Sequence, residues 1–120
     1  MNRWVLLEHK ILNINVEDIH YDFLIEDRKD CLTWKLYEIP DFDKGFIQIG
    51  KQPNHRLVWL YRLEHKLSND RGLVKRIDHG TFKQISHQFN SQEVKFILNG
   101  KLLNGLFEIK GSSCQLTKHN

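Results

Sequence analysis

The clearest signal of fold in this sequence is the stretch Phe96-Ile97-Leu98-Asn99-Gly100-Lys101-Leu102-Leu103. Apolar residues lie on both sides of its central Asn-Gly pair, and Asn-Gly favours the positive φ angles of a tight primed turn. The stretch therefore predicts a β-hairpin. The fold class then depends on whether similar runs recur along the rest of the chain.

Similar β-rich runs do recur, and turn signals such as 41–45, 69–72 and His79-Gly80 separate them. No segment of helical length combines an apolar period of three to four residues with helix caps. Residues 11–19 are predicted to form a short helix or a loop, because Asn and Asp interrupt their apolar pattern. The predicted strands are residues 3–8, 21–26, 32–39, 46–49, 56–63, 73–78, 81–86, 94–98 and 102–109.

Nine short strands in one small chain predict an all-β fold with little helix. We expect a single domain over residues 1–120, folded as a small β-barrel of about eight to nine strands, because closure removes the open edges that invite pairing with other chains. A two-layer sandwich is the alternative. Six aromatic residues are the predicted core: Trp4, Trp34, Phe23, Phe82, Phe96 and Phe107.

The composition excludes several classes of protein. Of 120 residues, 40% are hydrophobic and 28% are charged, which is typical of a globular domain and not of a disordered or collagen-like chain. The chain has no apolar run long enough for a spanning helix and no export signal, which predicts a cytoplasmic protein without a membrane partner. Cys31 and Cys114 lack a metal-binding spacing, so we expect two reduced, packed thiols.

The net charge of +3 hides an asymmetry along the chain. Ten acidic and five basic residues precede Lys44, whereas five acidic and thirteen basic residues lie from Lys44 onward. A basic surface attracts polyanions, so the distribution slightly favours a nucleic-acid partner over other classes.

The chemistry-bearing residues concentrate in His20-Tyr21-Asp22. On a strand, residues two apart point to the same face, so His20 and Asp22 present an imidazole and a carboxylate side by side. On spacing alone a structural hydrogen-bonded pair is the common outcome. Alternatively, the pair is half of a site for a divalent transition metal, which accepts mixed nitrogen and oxygen ligands.

Most of the chain resembles one family, the 3′-phosphoesterase domain of bacterial DNA ligase D, and especially its short stand-alone members. The resemblance lies in Leu7-Glu8-His9, in Ile19-His20-Tyr21-Asp22-Phe23-Leu24-Ile25-Glu26 and in Leu32-Thr33-Trp34-Lys35. It continues through Asn54-His55-Arg56-Leu57, the block from Ser68 to Phe82, and the closing segment 94–109. The motifs occur in the family's order.

This resemblance implies a small β-barrel that binds manganese, or another divalent transition metal, and removes a 3′-phosphate or 3′-terminal ribonucleotides from DNA primer–template ends during repair. Carried over by motif, His9, His20 and Asp22 are the metal ligands. His20, Asp22 and His55 are the catalytic residues. The candidates for gripping phosphate or DNA are Arg56, Arg71, Arg76 and Tyr61.

Two departures from the family pattern leave alternatives open. Leu24 stands where full-length members carry an arginine, and an upstream family arginine has no counterpart near Ile47. A catalytically degenerate relative that only binds DNA ends or a repair partner is therefore a second hypothesis. A third is an iron oxygenase in which His20, Asp22 and His55 hold the metal. Under the first hypothesis, a separate DNA ligase or polymerase must complete the repair.

Overall fold

The computed structural model of the protein describes residues 2–12, 17–67, 71–85 and 93–119. These ranges contain nine strands and one short 3₁₀ helix, Leu57–Leu60, and none of their helices is long and apolar enough to cross a membrane. The strands are β1 Arg3–Leu12, β2 Glu17–Asp27, β3 Asp30–Leu36, β4 Ile47–Arg56, β5 Glu64–Lys66, β6 Leu73–Gln84, β7 Glu93–Asn99, β8 Gly105–Lys110 and β9 Ser113–Thr117.

The strands form one antiparallel sheet whose pairings run in a ring. The order is β1-β2-β3-β4-β9-β8-β7-β6, and β6 pairs back onto β1 from Arg3↔Thr81 to Lys10↔Leu73. The short strand β5 adds to β6 beside Leu73. The prediction of an all-β, barrel-like fold with little helix is confirmed.

Residues 56–63, predicted to be a strand, instead contain the 3₁₀ helix. A 3₁₀ helix has three residues per turn, so Leu57 and Leu60 lie on one side of it. Leu60 is buried and Leu57 packs beside it against the outer face of the sheet. Burial of this pair favours the helical spacing over the alternation of a strand.

The turn predicted at His79-Gly80 is also wrong, because β6 continues through both residues. Gly80 lies opposite Trp4 in the β1–β6 pairing, and a Cβ added there would overlap the carbonyl of Asn99 and come within 3.2 Å of the indole nitrogen. That nitrogen donates to the carbonyl of Thr81 at 2.8 Å. Gly80 therefore allows a close approach inside a strand.

The tight turn predicted at Asn99-Gly100 is replaced by a longer connection between β7 and β8. Gly100 is absent from the glycines with positive φ. The buried carboxylate of Asp78 instead accepts hydrogen bonds at 2.8–3.0 Å from the backbone N–H groups of residues 101, 102 and 103. This carboxylate holds the connection against the barrel, and β8 starts later than predicted.

Residues 11–19, predicted to be a short helix or a loop, belong largely to a hairpin. Strand β1 extends to Leu12, β2 starts at Glu17, and the two pair up to Leu12↔Glu17. Residues 13–16 lie outside the described part of the chain. The extension matters for function because it contains the pair His9↔His20.

The apolar residues of the sheet form two separate clusters. The interior core fills the ring and contains five of the six predicted aromatics in fully buried positions, with Phe82 partly buried against them. A second group, here called the outer-face cluster, packs between the outside of the sheet and residues 57–67. Its members are Val5, Leu7, Leu24, Cys31, Leu60 and Val74, with Leu57, Trp59 and Leu67 packed against them.

Candidate metal centre

Three polar side chains continue the outer-face cluster along strands β1 and β2. His9 follows Leu7 on the outer face of β1, and Asp22 and His20 lie on the same face of β2 as Leu24, because alternate residues of a strand share a face. The register pairs His9 directly with His20 and Leu7 with Asp22. The eleven-residue separation of the two histidines is thus spanned by the hairpin itself.

The ligand atoms of these residues converge. Nδ1 of His9 lies 3.2 Å from Nε2 of His20, which lies 3.5 Å from Oδ1 of Asp22. One ligand atom from each residue falls within 4.8 Å of the other two. The side chains of His20 and Asp22 are only 12% and 11% exposed. Two imidazoles and a carboxylate are a ligand set that divalent transition metals accept.

A backbone contact defines the tautomer of His9. Its Nε2 lies 2.8 Å from the carbonyl oxygen of Arg71. A carbonyl oxygen only accepts, so Nε2 carries the proton and donates it. In the neutral ring Nδ1 then has a lone pair directed at His20. Metal-bound histidines commonly make this kind of contact with the nitrogen that does not bind the metal.

The chemistry of the cluster fits a bound cation. His9 Nδ1, His20 Nε2 and a carboxylate oxygen of Asp22 are all potential lone-pair donors, and such atoms repel at these distances unless a proton or a cation lies between them. The other ring nitrogen of His20, Nδ1, is buried and has no hydrogen-bond partner. This nitrogen is not one of the converging atoms, so a cation held at Nε2 would leave it without a partner, and the fit of a cation rests on the three converging ligand atoms alone.

A cavity of about 210 Å³ opens beside the cluster. His55 and Arg71 contribute polar groups to it, together with His9 and Asp22. Nδ1 of His55 lies 3.1 Å from the carbonyl oxygen of Pro53, so Nδ1 donates and Nε2 is the nitrogen left to exchange a proton. The apolar lining consists of Leu7, Trp59, Leu67 and Val74.

Trp59 forms an aromatic wall of this cavity. Its ring centroid lies 6.5 Å from that of His55 and 5.5 Å from that of His65, both in edge-on arrangements. The guanidinium carbon of Arg62 lies 4.5 Å from the centre of the indole. These contacts, together with packing against the outer-face cluster, hold the indole in place.

The structure brings some of the predicted site residues together and places others away from the cavity. His9, Asp22, His55 and Arg71 all line the cavity, and His20 completes the cluster behind them. His55 lies outside the ligand group, whose third member is His9; the iron-site hypothesis had named His55 for that place. The described lining does not include the other three candidates, Arg56, Arg76 and Tyr61.

These three residues lie elsewhere on the surface. Tyr61 is 61% exposed and accepts a hydrogen bond from Nη1 of Arg3, whose guanidinium also covers its ring. Arg56 is exposed at the end of β4. Arg76 lies opposite Leu7 in the β1–β6 pairing, and its backbone N–H donates to the carbonyl of Leu63.

Cys31 belongs to the outer-face cluster but is no candidate ligand. Burial, together with nearby acidic groups, raises the pKa of its thiol to about 12. Metals bind the thiolate form, which this environment disfavours. Both cysteines are free and buried, as predicted.

Two features of the site were beyond sequence reasoning. The carbonyl of Arg71 carries no side-chain signal, and Leu67 comes to the cavity only because residues 57–67 fold over the sheet. The apolar residues on both faces of β1 and β2, Trp4-Val5-Leu6-Leu7 and Phe23-Leu24-Ile25, are a signal that could have indicated such a cover. The chain matches no protein-family model, and no curated protein matches its sequence.

Proposed function

We propose that this protein is a phosphoesterase dependent on manganese, or on another divalent transition metal, that acts on the 3′ ends of DNA. The observation that carries the proposal is the group His9, His20 and Asp22 at the edge of a cavity that also contains His55 and Arg71. The family resemblance of the sequence supplies the substrate class. The cavity supports it with cationic and proton-exchanging groups beside the ligand set.

Each residue of the site would have a distinct role in metal binding, proton exchange or phosphate binding. His9, His20 and Asp22 would hold the metal, which when bound polarises a phosphoryl oxygen and lowers the pKa of a bound water. His55 keeps its Nδ1 proton on the carbonyl of Pro53 and would exchange a proton at Nε2 with the phosphate or the leaving oxygen. The guanidinium of Arg71 would bind two phosphate oxygens at once.

The charge distribution of the chain suits the same substrate. Basic residues outnumber acidic residues by thirteen to five from Lys44 onward, and contacts to the DNA backbone release counterions. We therefore expect DNA binding to weaken as the salt concentration rises. Healing of a 3′ end would leave a hydroxyl for a separate polymerase or ligase.

A second function has a specific observation in its favour, namely DNA-end binding without catalysis. Leu24, at the position of a family arginine, is fully buried in the outer-face cluster. Among the described residues that line the cavity, Arg71 is the sole arginine. With few arginines to hold the 3′-phosphate at the metal cluster, the protein would bind DNA ends without catalysing release of the phosphate.

One assay separates these functions. The protein is incubated with Mn²⁺ and a primer–template bearing a 3′-phosphate, and released phosphate is measured beside His20→Ala and His79→Ala variants. His79 is an exposed histidine outside the cluster and is a matched control. We expect release by the native protein and by His79→Ala, and none by His20→Ala or after chelation.

Retention of the primer without phosphate release, even at high protein excess, would favour the binding function. Equal release by His20→Ala would contradict the metal cluster as the active site. Turnover that needs Fe²⁺ and O₂ would instead support the oxygenase hypothesis.

A further inference from the structure

The approach of residues 71–72 to strand β1 is unusually close. Gly72 has φ +106°, and a Cβ added there would overlap the carbonyl oxygen of Lys10 and lie 3.1 Å from Cα of Ile11. On the other side, the carbonyl of Gly72 accepts a hydrogen bond from the backbone N–H of Leu67 at 2.8 Å. Gly72 is therefore packed between β1 and the end of residues 57–67, here called the covering segment.

This packing has a direct consequence for His9. The carbonyl that accepts the His9 Nε2 proton belongs to Arg71, and it precedes Gly72 by one peptide bond. Any side chain at position 72 would push the 71–72 peptide away from β1, because both the positive φ and the contact with Lys10 exclude a Cβ. His9 would then lose the acceptor that holds its proton on Nε2.

We infer that Gly72 is a positioning residue for the proposed metal centre. Its lack of a side chain lets the Arg71 carbonyl lie close enough to accept the proton of His9 Nε2, and this leaves His9 Nδ1 as the nitrogen that would bind the metal. The inference rests on the proposed function for the metal, but the tautomer that it assigns belongs to the protein alone. Partners that orient a ligating histidine typically change metal affinity by about 10- to 100-fold when they are lost.

The test compares Gly72→Ala with Gly111→Ala and Gly45→Ala. The two control glycines also have positive φ, 56° and 70°, but an added Cβ at either would meet nothing within 4 Å. They place alanine at a positive φ without the collision. We expect Mn²⁺ affinity, measured by calorimetry, to fall about 10- to 100-fold in Gly72→Ala and to stay at the native value in both controls. Equal affinity in all three variants would overturn the inference.

A spectroscopic measurement keeps the inference testable when binding is absent or the variant does not fold. Long-range ¹H–¹⁵N correlation spectra of the metal-free native protein report which nitrogen of neutral His9 carries the proton. We expect Nε2–H in the native protein and in the two control variants, and a mixture with Nδ1–H in a folded Gly72→Ala. Predominant Nδ1–H in the native protein would overturn the inference. Failure of the native protein to bind Mn²⁺ would count against the proposed function and not against this assignment.

Discussion

The interior core and the outer-face cluster share strands β1, β2 and β3 but differ in how they are closed. In β1, Trp4 and Leu6 point into the ring, whereas Val5 and Leu7 point outward. The ring of strands surrounds the interior core. Among the residues that the structure describes, segment 57–67 covers the outer-face cluster, and the cavity with its histidines and aspartate opens beside it.

Because of this difference, the interior core can stabilise the fold while the outer face holds the candidate site. A site inside the ring would require polar groups in a tightly packed apolar space, where unpaired polar atoms are costly. On the outer face, His9 and Asp22 lie immediately beyond Leu7 and Leu24, so apolar packing fixes the strands while the two polar side chains line the cavity. We expect perturbation of the two clusters to have different consequences.

The largest expected effect is on folding, from truncation of the interior core. Phe107→Ala should lower the free energy of unfolding by about 3–5 kcal/mol, because the fully buried ring has no surface segment that can relax into its place. Leu60→Ala should cost about 2 kcal/mol, near the low end for leucine, because the covering segment can move inward. Urea denaturation of both variants measures the difference. Equal losses would contradict the proposed difference in how the two clusters are closed.

A smaller effect is expected at acidic pH, where the covering segment is anchored. Arg3 contacts the Tyr61 ring and hydroxyl at the end of the 3₁₀ helix, and it donates to the Glu26 carboxylate at 2.8 and 3.0 Å. These hydrogen bonds hold the pKa of Glu26 below its usual value of 4.5.

Because the folded-state pKa is the lower one, Glu26 contributes stability above pH 4.5, and this contribution is lost as the pH falls through the folded value. Glu26→Gln should therefore flatten the acid limb of a plot of melting temperature against pH. An unchanged limb in that variant would show that ionisation of Glu26 contributes nothing to the stability of the fold.

The smallest expected effect, at neutral pH, is on the labelling rates of the two thiols, of which Cys31 belongs to the outer-face cluster and Cys114 to the interior core. Burial raises the pKa of both Cys31 and Cys114 to about 12 from 9.0. The unfolded chain ionises first, so each thiol costs stability as the pH rises from about 9 towards 12.

Their reactivity should nevertheless differ, because local opening of the covering segment exposes Cys31 alone. We expect a disulfide reagent to label Cys31 faster than Cys114 in the folded protein, as followed by mass spectrometry. Leu60→Ala should accelerate labelling of Cys31 selectively. Parallel acceleration at both cysteines would contradict separate opening of the outer face.

The all-β class was predictable because alternation in runs such as 94–98 reports directly on which face is buried. Prediction of individual elements failed where a tertiary contact overrides the local signal. Asp78 lengthens the connection after Asn99, and packing on Trp4 keeps Gly80 in a strand. The expected and observed numbers of strands agree although several strands differ.

The candidate site, like the fold, was only partly predictable from the sequence. Placement of His20 and Asp22 on one face follows from strand geometry and was predictable. The position of His9 depends on the register of the β1–β2 hairpin, which residue spacing alone does not determine. The Arg71 carbonyl is a backbone group and depends on the path of the chain around Gly72.

The central claim is that the outer face of β1 and β2 binds a metal, and crystals grown with Mn²⁺ test it most directly. Anomalous scattering should show a peak at about 2.0–2.3 Å from His9 Nδ1, His20 Nε2 and an Asp22 carboxylate oxygen, the distances usual for these ligand types. The peak should be absent in His20→Ala. A native crystal with no peak at these three residues, or with manganese bound elsewhere, would contradict the account.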